Sequence, residues 1–377
     1  MITTSTERGH ERSSRLRGAW LSALLVPALL GGAPRAALGQ EGAAEREVEA
    51  EVLEFPEHVT PRTVEAIEKG LRWLARAQGR DGSLRESGGM GSFPVAMSSL
   101  AGMAFLGNGD TASRGRYAPV VRRIVRYLVD PRQVRSSGLI TASGAGEESR
   151  SMYGHGFAVM FLAQALGEEG DPVLERRIRQ VLQNGIALTS KAQSGPGGWY
   201  YTPDSQSDEG SVTVTQVQAL RACQNAGLAV PYEVIRRAVG YIEASAQRDG
   251  GIAYSAQSSG SNPGITAAAC AVLYNAGEYD SKVALRCLDY CRRQIRVDGL
   301  AQGFGHWFYT QLYLSQAYWQ AGERDWDGYY PRVRDHLLRS QGADGSWDGD
   351  GVGKVYGTSL AITILTLPFE RVPLYMR

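Results

Sequence analysis

The chain of 377 residues has few cysteines and almost no net charge. Four cysteines in this length exclude a small disulfide scaffold, whose fold would depend on its cross-links. Lysine and arginine total 40 and aspartate and glutamate total 39, which leaves a formal charge of +1. This balance argues against a nucleic-acid partner and against a broad polybasic membrane surface. The apolar fraction of 43% is nevertheless enough to bury a large core, so we expect a folded protein.

The N-terminal apolar run is too short for a comfortable transmembrane helix. It extends from Ala19 to Leu30, whereas a bilayer-spanning helix needs about 20 residues. Arginines precede the run, and Ala37-Leu38-Gly39 fits the small-x-small pattern of a signal-peptide cleavage site. We therefore predict a signal peptide over residues 1–39 and export to the periplasm or the extracellular space, without a transmembrane span after cleavage. An uncleaved N-terminal anchor is the alternative. Residues 40–58 are acidic and lack apolar periodicity, which predicts a flexible leader.

Glycine, proline and glutamine recur at regular intervals over the rest of the chain. Five glycines follow apolar or aromatic segments and fit the position just past a helix C-terminus: Gly107, Gly167, Gly227, Gly277 and Gly322. Five prolines open amphipathic segments, as suits a first helical position: Pro61, Pro119, Pro172, Pro231 and Pro331. A glutamine before a Gly-rich or polar turn separates the two segments of each unit: Gln78, Gln133, Gln193, Gln247, Gln294 and Gln341. The pattern predicts six helical hairpins in one domain over residues 59–377.

The two helices of each hairpin differ in polarity. The first is amphipathic, as where Val64, Ile67 and Leu71 recur with helical spacing. The second is apolar on every side, as in residues 267–274 and 360–367, which indicates complete burial. The simplest arrangement places the second helices inside a ring of first helices. We therefore predict an all-α fold of the α/α-toroid type, an α6–α6 barrel of six helical hairpins, with an open superhelix as the alternative.

The recurring Gln…Gly-x-Trp pattern resembles the QW motif of squalene and oxidosqualene cyclases and the repeats of protein prenyltransferase β-subunits. Its clearest copies run from Gln193 to Trp199 and from Gln341 to Trp347. Six units resemble the single toroid of the prenyltransferases more than the two-domain cyclases. Residues 152–167, 211–227 and 308–322 are similar to a bacterial branch of secreted or membrane-associated repeat proteins. The resemblance implies an α/α toroid, whereas an activity transfers only where the catalytic residues match.

The catalytic residues of those enzymes do not match. The cyclases protonate an alkene with an Asp-x-Asp-Asp motif, and the nearest stretches here, which begin at Asp325 and Asp348, lack its last aspartate. The prenyltransferases bind zinc through an Asp-x-Cys pair and a distant histidine. Asp289 and Cys291 have that spacing, but Gly357 stands where the resemblance places the histidine. We therefore expect neither a metal nor a cofactor.

A group of carboxylates precedes the predicted inner helix at residue 211. Paired acids facing one cleft would suit a glycosidase or a polysaccharide lyase. Asp204, Asp208 and Glu209 are the candidates. The same charges would also stabilise the positive N-terminus of that helix, and this structural role is the favoured interpretation.

The N-termini of parallel inner helices would gather at one rim of the barrel. Aromatic, hydroxyl, amide and imidazole side chains are common there, and the candidate ligand-binding residues are Tyr153, His155, Thr213, Gln216, His306, Trp307, Tyr309 and Tyr356. Aromatic rings would stack on an apolar chain while polar groups orient a polar end. His155 and His306 occur in related sequence contexts and are the candidates for proton transfer or ligand hydrogen bonding, with helix capping or packing as the alternative.

These observations favour a binding protein over an enzyme. We predict an exported, non-catalytic toroid that binds an apolar small molecule of the isoprenoid or lipid class, or a protein partner. A terpenoid-cyclase- or prenyltransferase-like enzyme with a nonstandard acid is the first alternative, and a carbohydrate-active α-barrel is the second.

Overall fold

The protein, described here by a computed structural model over residues 55–86, 92–298 and 306–376, consists of an inner and an outer layer of helices. The outer helices are α1 (Pro61–Ala77), α3 (Ala118–Leu128), α6 (Pro172–Lys191), α8 (Tyr232–Ala244), α10 (Lys282–Gln294) and α12 (Glu323–Ser340). The inner helices are α2 (Pro94–Gly107), α5 (Ser151–Ala165), α7 (Gly210–Asn225), α9 (Pro263–Asn275), α11 (Trp307–Ala321) and α13 (Lys354–Thr366). A short helix, α4 (Ala145–Ser149), precedes α5. The predicted signal peptide and residues 40–54 of the predicted leader lie outside the described residues.

The inner helices close into a ring. Each packs against the inner helix before it and the one after it in the chain, and α13 packs against α2. At the same seam the first outer helix, α1, packs against both α12 and α13. The predicted α6–α6 barrel is therefore confirmed, and the open superhelix is excluded.

Polarity separates the two layers as predicted. Every residue of α2 is buried, and in α13 only Lys354 and Tyr356 are not fully buried. The outer helix α1 buries a single stripe that includes Ile67, Leu71 and Leu74. Each such aliphatic side chain contributes about 1.5–3 kcal/mol when it is removed from water. No helix in the described part of the chain combines the length and the apolarity needed to cross a bilayer.

Most of the predicted helix boundaries are confirmed, and two are wrong. Thr60 and Asp171 begin outer helices by accepting hydrogen bonds from first-turn backbone N–H groups, and a proline follows each of them directly. Gly107 is not a helix stop: it is the last residue of α2 and lies against Thr366. Pro331 does not open a helix, because α12 begins directly after Gly322, whose positive φ ends α11, and it continues through the proline.

Three of the six turn glutamines fasten their hairpin to the next one. The Nε2 atom of Gln78, of Gln193 and of Gln341 donates to the carbonyl four residues later in its own turn. The same atom also donates, at 2.9–3.0 Å, to a backbone carbonyl within the first two turns of the following outer helix. For Gln341 that following helix is α1, so this hydrogen bond crosses the closure seam. Gln247 differs, since its amide donates to Ser245 O instead.

The C-terminal segment, residues 367–376, covers the C-terminal ends of the inner helices. Leu374 N donates to Gln164 Oε1 near the end of α5, and Leu374 O accepts from Asn275 Nδ2 at the end of α9. Buried Gln218 donates to both Asn275 and Gln316, which ties α7, α9 and α11 together beneath the segment. The barrel therefore has a closed end, which is covered by this segment, and an opposite rim at the N-termini of the inner helices.

Candidate functional site

The N-terminal ends of all six inner helices converge on one cavity of about 330 Å³. This volume lies at the lower end of the range for small-molecule sites. The walls are largely aromatic and aliphatic, with a few hydroxyl groups, one arginine and one histidine. The lining residues are Phe93, Ala96, Met97, Leu100, Arg150, Tyr153, Phe157, Tyr201, Ser211, Tyr254, Asn262, Gly264, Ile265, His306, Tyr309, Thr310, Val352 and Tyr356.

Four of the eight predicted site residues line this cavity, namely Tyr153, His306, Tyr309 and Tyr356. The Tyr153 hydroxyl donates to Glu209 Oε1 at 3.1 Å and is hydrogen-bonded to the Ser211 hydroxyl. The buried Tyr309 hydroxyl has no hydrogen-bond partner among the described residues. Burial raises the pKa of Tyr309 well above its usual range, so the hydroxyl keeps its proton. It therefore offers an unused donor within the lining of the cavity.

His155 does not line the cavity, because its ring lies between the inner and outer layers. Its Nδ1 atom accepts from Ile140 N at 3.2 Å, and its Nε2 atom lies 3.0 Å from Thr189 Oγ1. Burial lowers the pKa of His155 to about 4, which keeps the ring neutral. The alternative interpretation given above, helix packing, is the one that this geometry supports.

The position of His155 recurs in the other repeats. In four further units the first residue after the Gly-rich turn donates its backbone N–H, at 2.8–3.0 Å, to a hydroxyl in the first turns of the inner helix. Those hydroxyl groups belong to Ser98, Thr213, Thr266 and Thr358. His155 and Thr213 are therefore equivalent repeat positions that join a turn to an inner helix.

Gln216 and Trp307 are also engaged away from the cavity. Gln216 donates its amide to Met152 O at 2.8 Å and is buried between α5 and α7. The Trp307 indole donates to Val297 O at 3.0 Å, and its ring stacks on His336 with a centroid separation of 4.5 Å. Both residues hold helices or loops in place around the barrel.

Several lining residues were not singled out from the sequence. Tyr201 and Tyr254 each follow a turn by the same spacing, two residues after Trp199 and Ile252, and their hydroxyl groups are hydrogen-bonded to each other. Phe157 lies one helical turn after Tyr153, so the spacing of these two aromatic residues was an available signal. Arg150 precedes α5, and no sequence pattern marked it as a lining residue.

Carboxylates at the rim stabilise helix N-termini. Glu147 accepts from Val95 N and Ala96 N of α2, at 2.8 and 3.3 Å. Glu209 caps α7 by accepting from Ser211 N and Val212 N, at 3.0 and 2.6 Å. The same use of side-chain acceptors is seen for Glu86 on α13, Asp350 on α11 and Asn262 on α9. Because the first backbone N–H groups of a helix lack internal partners, these contacts satisfy donors that would otherwise be unpaired.

Burial raises the pKa of three of these carboxyl groups, those of Glu147, Glu209 and Asp350. It raises the pKa of Glu147 to about 7, against the pull of its two backbone hydrogen bonds. It also raises the pKa of Glu209, which is fully buried and receives further hydrogen bonds from Ser211 and Tyr153. Of the other two predicted acids, Asp204 is exposed and Asp208 is buried, and neither lines the cavity. The favoured structural role of Glu209 is therefore confirmed.

The residues considered for zinc binding do not converge. Asp289 is exposed and pairs with Arg292 at 2.8 Å, whereas Cys291 is buried and burial raises its pKa well above its usual range. Within the described ranges, one group of three possible metal ligands is close together: Glu57, His58 and Asp327. None of the three lines the cavity.

Comparisons with known proteins define the fold class. No protein-family model and no curated protein sequence matches the chain. A solved structure of a protein from Actinoplanes is similar, with 17% identity, a TM-score of 0.56 and coverage of 82% of this chain and 99% of that one. A variant of the type II terpene cyclase MstE from Scytonema, in complex with its substrate geranylgeranyl dihydroxybenzoate, has 12% identity, a TM-score of 0.55 and coverage of 83% and 98%. The GH76 α-mannanase BT2949 from Bacteroides thetaiotaomicron has 10% identity, a TM-score of 0.60 and coverage of 82% and 96%. The chain therefore shares the α/α-toroid fold with terpene cyclases and with glycosidases.

Proposed function

We propose that the protein binds an apolar small molecule of the isoprenoid or lipid class in the barrel cavity, without converting it, and that it does so outside the cytoplasm. The lining of the cavity carries this proposal. Aromatic and aliphatic side chains form most of its surface, and the polar groups are few and lie near the helix N-termini. Such walls suit a hydrocarbon chain, since burial of apolar area gains about 25 cal/mol per Å².

The solved structures support this class of ligand. The type II terpene cyclase MstE holds an isoprenoid substrate within the same fold. The α-mannanase acts on a carbohydrate within the same fold, so the fold alone does not decide between the two classes. The apolar lining favours the isoprenoid class, because sugar rings need many polar partners.

The use of the rim carboxylates favours binding over catalysis. A cyclase needs an acid that can reach the substrate alkene, and a glycosidase needs two carboxyl groups facing one cleft. Glu147, Glu209 and Asp350 direct their oxygens at backbone N–H groups instead. Of the described lining residues none is acidic, and the sequence has no Asp or Glu in residues 87–91 and 299–305. A protein partner remains the alternative if the cavity takes up no apolar ligand.

The proposal can be tested by native mass spectrometry of the protein from its own host, with organic extraction of bound compounds. Titration with farnesol, a short neutral isoprenoid, provides the direct measurement of binding. The variant Ala96→Phe narrows the cavity and should displace the equivalent of two or three methylene groups, which costs about 2 kcal/mol, or roughly 30-fold in affinity. Ala77→Phe adds the same side chain at an exposed position of α1 and should leave the affinity unchanged. The absence of both a co-purifying apolar compound and farnesol uptake would refute the proposal.

A further inference from the structure

Arg150 is an unpaired cation in the wall of the cavity. It is the N-cap residue of α5, it is half-buried, and it lies among the lining residues. Its guanidinium carbon is 5.1 Å from the centroid of the Tyr201 ring. No hydrogen bond or ion pair joins the guanidinium to any described residue. Arg132 and Arg135, on the loop before α4, pair with Asp130 and Glu148.

The nearby carboxyl groups are committed to other donors. Glu147 accepts from two N–H groups of α2, and Glu148 lies 3.6 Å from Arg135. Glu209 receives hydrogen bonds from the backbone and hydroxyl groups of its own helix and from Tyr153. The described residues therefore supply Arg150 with a stacking platform but with no counter-charge. A half-buried guanidinium has five N–H donors in a planar fork that matches a carboxylate or a phosphate.

The surroundings hold the guanidinium in place. Tyr201, which lies beneath it, is fixed by a hydrogen bond to the Tyr254 hydroxyl and by a tilted contact with Tyr153 at 5.9 Å between ring centroids. All three tyrosines line the cavity. In addition, α5 is the inner helix for which no side-chain acceptor caps the N-terminus within the described residues, whereas α2, α7, α9, α11 and α13 each have one. At α5 a backbone carbonyl, Tyr201 O, accepts from Met152 N at 3.0 Å, and no described carboxyl group offsets the partial positive charge of this N-terminus beside Arg150.

From this geometry we infer that the ligand carries an anionic head group, a carboxylate or a phosphate, which Arg150 binds at the mouth while the hydrocarbon chain enters between the aromatic walls. This inference rests on the proposed function and specifies the class of ligand. It assigns to Arg150 the recognition of the charged end and to Tyr153, Phe157, Tyr309 and Tyr356 the contacts with the chain. The negative charge would take the place of the missing counter-ion.

Three probes with the same hydrocarbon chain test the inference: farnesol, farnesoic acid and farnesyl phosphate. We expect either acid to bind at least tenfold more tightly than farnesol, and we expect this preference to weaken at high salt. Arg150→Gln should remove the preference, because it should weaken the binding of both acids by a larger factor than the binding of farnesol. Arg248→Gln removes the same charge from an exposed turn outside the cavity lining and should retain the preference. Arg150→Lys keeps the charge but not the fork, so it should restore part of the preference.

The outcomes separate this inference from the proposed function. Equal binding of farnesol and both acids would overturn the anionic head group and leave the apolar cavity standing. Loss of farnesol binding in Arg150→Gln by the same factor as the acids would assign Arg150 a structural role and would also overturn the inference. Failure of all three probes to bind would overturn the proposed function itself. A preference for only one acid supports the inference and identifies the head group.

Discussion

Replacement of Gln341 with alanine tests whether the barrel is closed in solution. The Gln341 amide donates at 2.9 Å to Gly345 O in its own turn and at 2.9 Å to Ala66 O in the first outer helix, 275 residues away. In the middle of the chain, Gln193 makes the equivalent pair of hydrogen bonds, to Gly197 O at 2.8 Å and to a first-turn carbonyl of α8 at 2.9 Å. A closed ring has no ends, so Gln341→Ala and Gln193→Ala should lower the free energy of unfolding by the same amount.

The size of the effect follows from the two acceptors. Ala66 lies within α1, so its carbonyl keeps its helical hydrogen bond when the glutamine is removed. Gly345 O lies in the turn and loses the glutamine as its donor. With a net value of about 0.5–1.5 kcal/mol for each hydrogen bond, Gln341→Ala should lower the free energy of unfolding by about 1–3 kcal/mol. Gln193→Ala should lower it by the same amount within about 1 kcal/mol.

Chemical denaturation followed by circular dichroism measures these differences, provided that the dependence on denaturant is unchanged. Gln180→Ala, on the exposed face of α6, is the matched control and should change the stability by less than about 0.5 kcal/mol. If Gln341→Ala behaves like Gln180→Ala while Gln193→Ala is destabilised, the seam is open in solution and the inferred closure is wrong.

Two further substitutions test the buried titratable groups. Because burial raises the pKa of Glu147 from 4.5 to about 7, the folded state holds this proton more tightly; the resulting stabilisation is present below about pH 4.5 and is lost as the pH rises through 7. The free energy of unfolding of Glu147→Gln, relative to that of the parent protein, should therefore rise by about 2–3 kcal/mol between pH 5 and pH 8 in denaturation experiments. An unchanged pH dependence would contradict this assignment. His155→Thr supplies the hydroxyl found in other repeats, so it should keep an acceptor for Ile140 N. It should lower the free energy of unfolding by about 1–3 kcal/mol, because packing and the Thr189 contact are lost. Farnesol affinity should be unchanged. A loss of farnesol affinity without a loss of stability would instead place His155 at the binding site.

The fold could be predicted because its signals are local and repeated. Positive φ at Gly167 and Gly227, the capping hydrogen bonds of Thr60 and Asp171, and the contrast in polarity between the two helices of a hairpin all act within one unit. Repetition of the unit then implied two layers. The prediction for Pro331 was wrong because proline usually occupies the first turn of a helix, whereas α12 begins eight residues earlier and continues through this proline.

The site was only partly predictable because an inner helix is apolar on every side. Such a helix has no hydrophobic stripe, and so its periodicity does not show which residues face the cavity and which face the outer layer. Tyr153 and His155 are two positions apart and point to different environments, one into the cavity and one toward the outer helices. Alignment of the six units would have placed His155 with Thr213 and the other turn-binding hydroxyl groups. Arg150 and Tyr201 are brought to the cavity by loops, which the repeat pattern does not specify.

The convergence of six inner-helix N-termini at one rim explains both the carboxylates and the exception at α5. Each N-terminus presents unpaired N–H groups and a partial positive charge, and parallel helices place these charges close together. Side-chain acceptors on α2, α7, α9, α11 and α13 offset this repulsion. Carboxyl groups held in that role are poor catalytic acids, because each must keep its oxygens directed at backbone donors. At α5 the cap position is occupied by Arg150, and Met152 N donates to a backbone carbonyl, Tyr201 O, at 3.0 Å. Among the described residues this N-terminus therefore has no side-chain acceptor, and it adjoins the cavity and the Arg150 guanidinium. A negative ligand bound by Arg150 would place a side-chain-like acceptor near α5, as the protein's own side chains do at the other five helices.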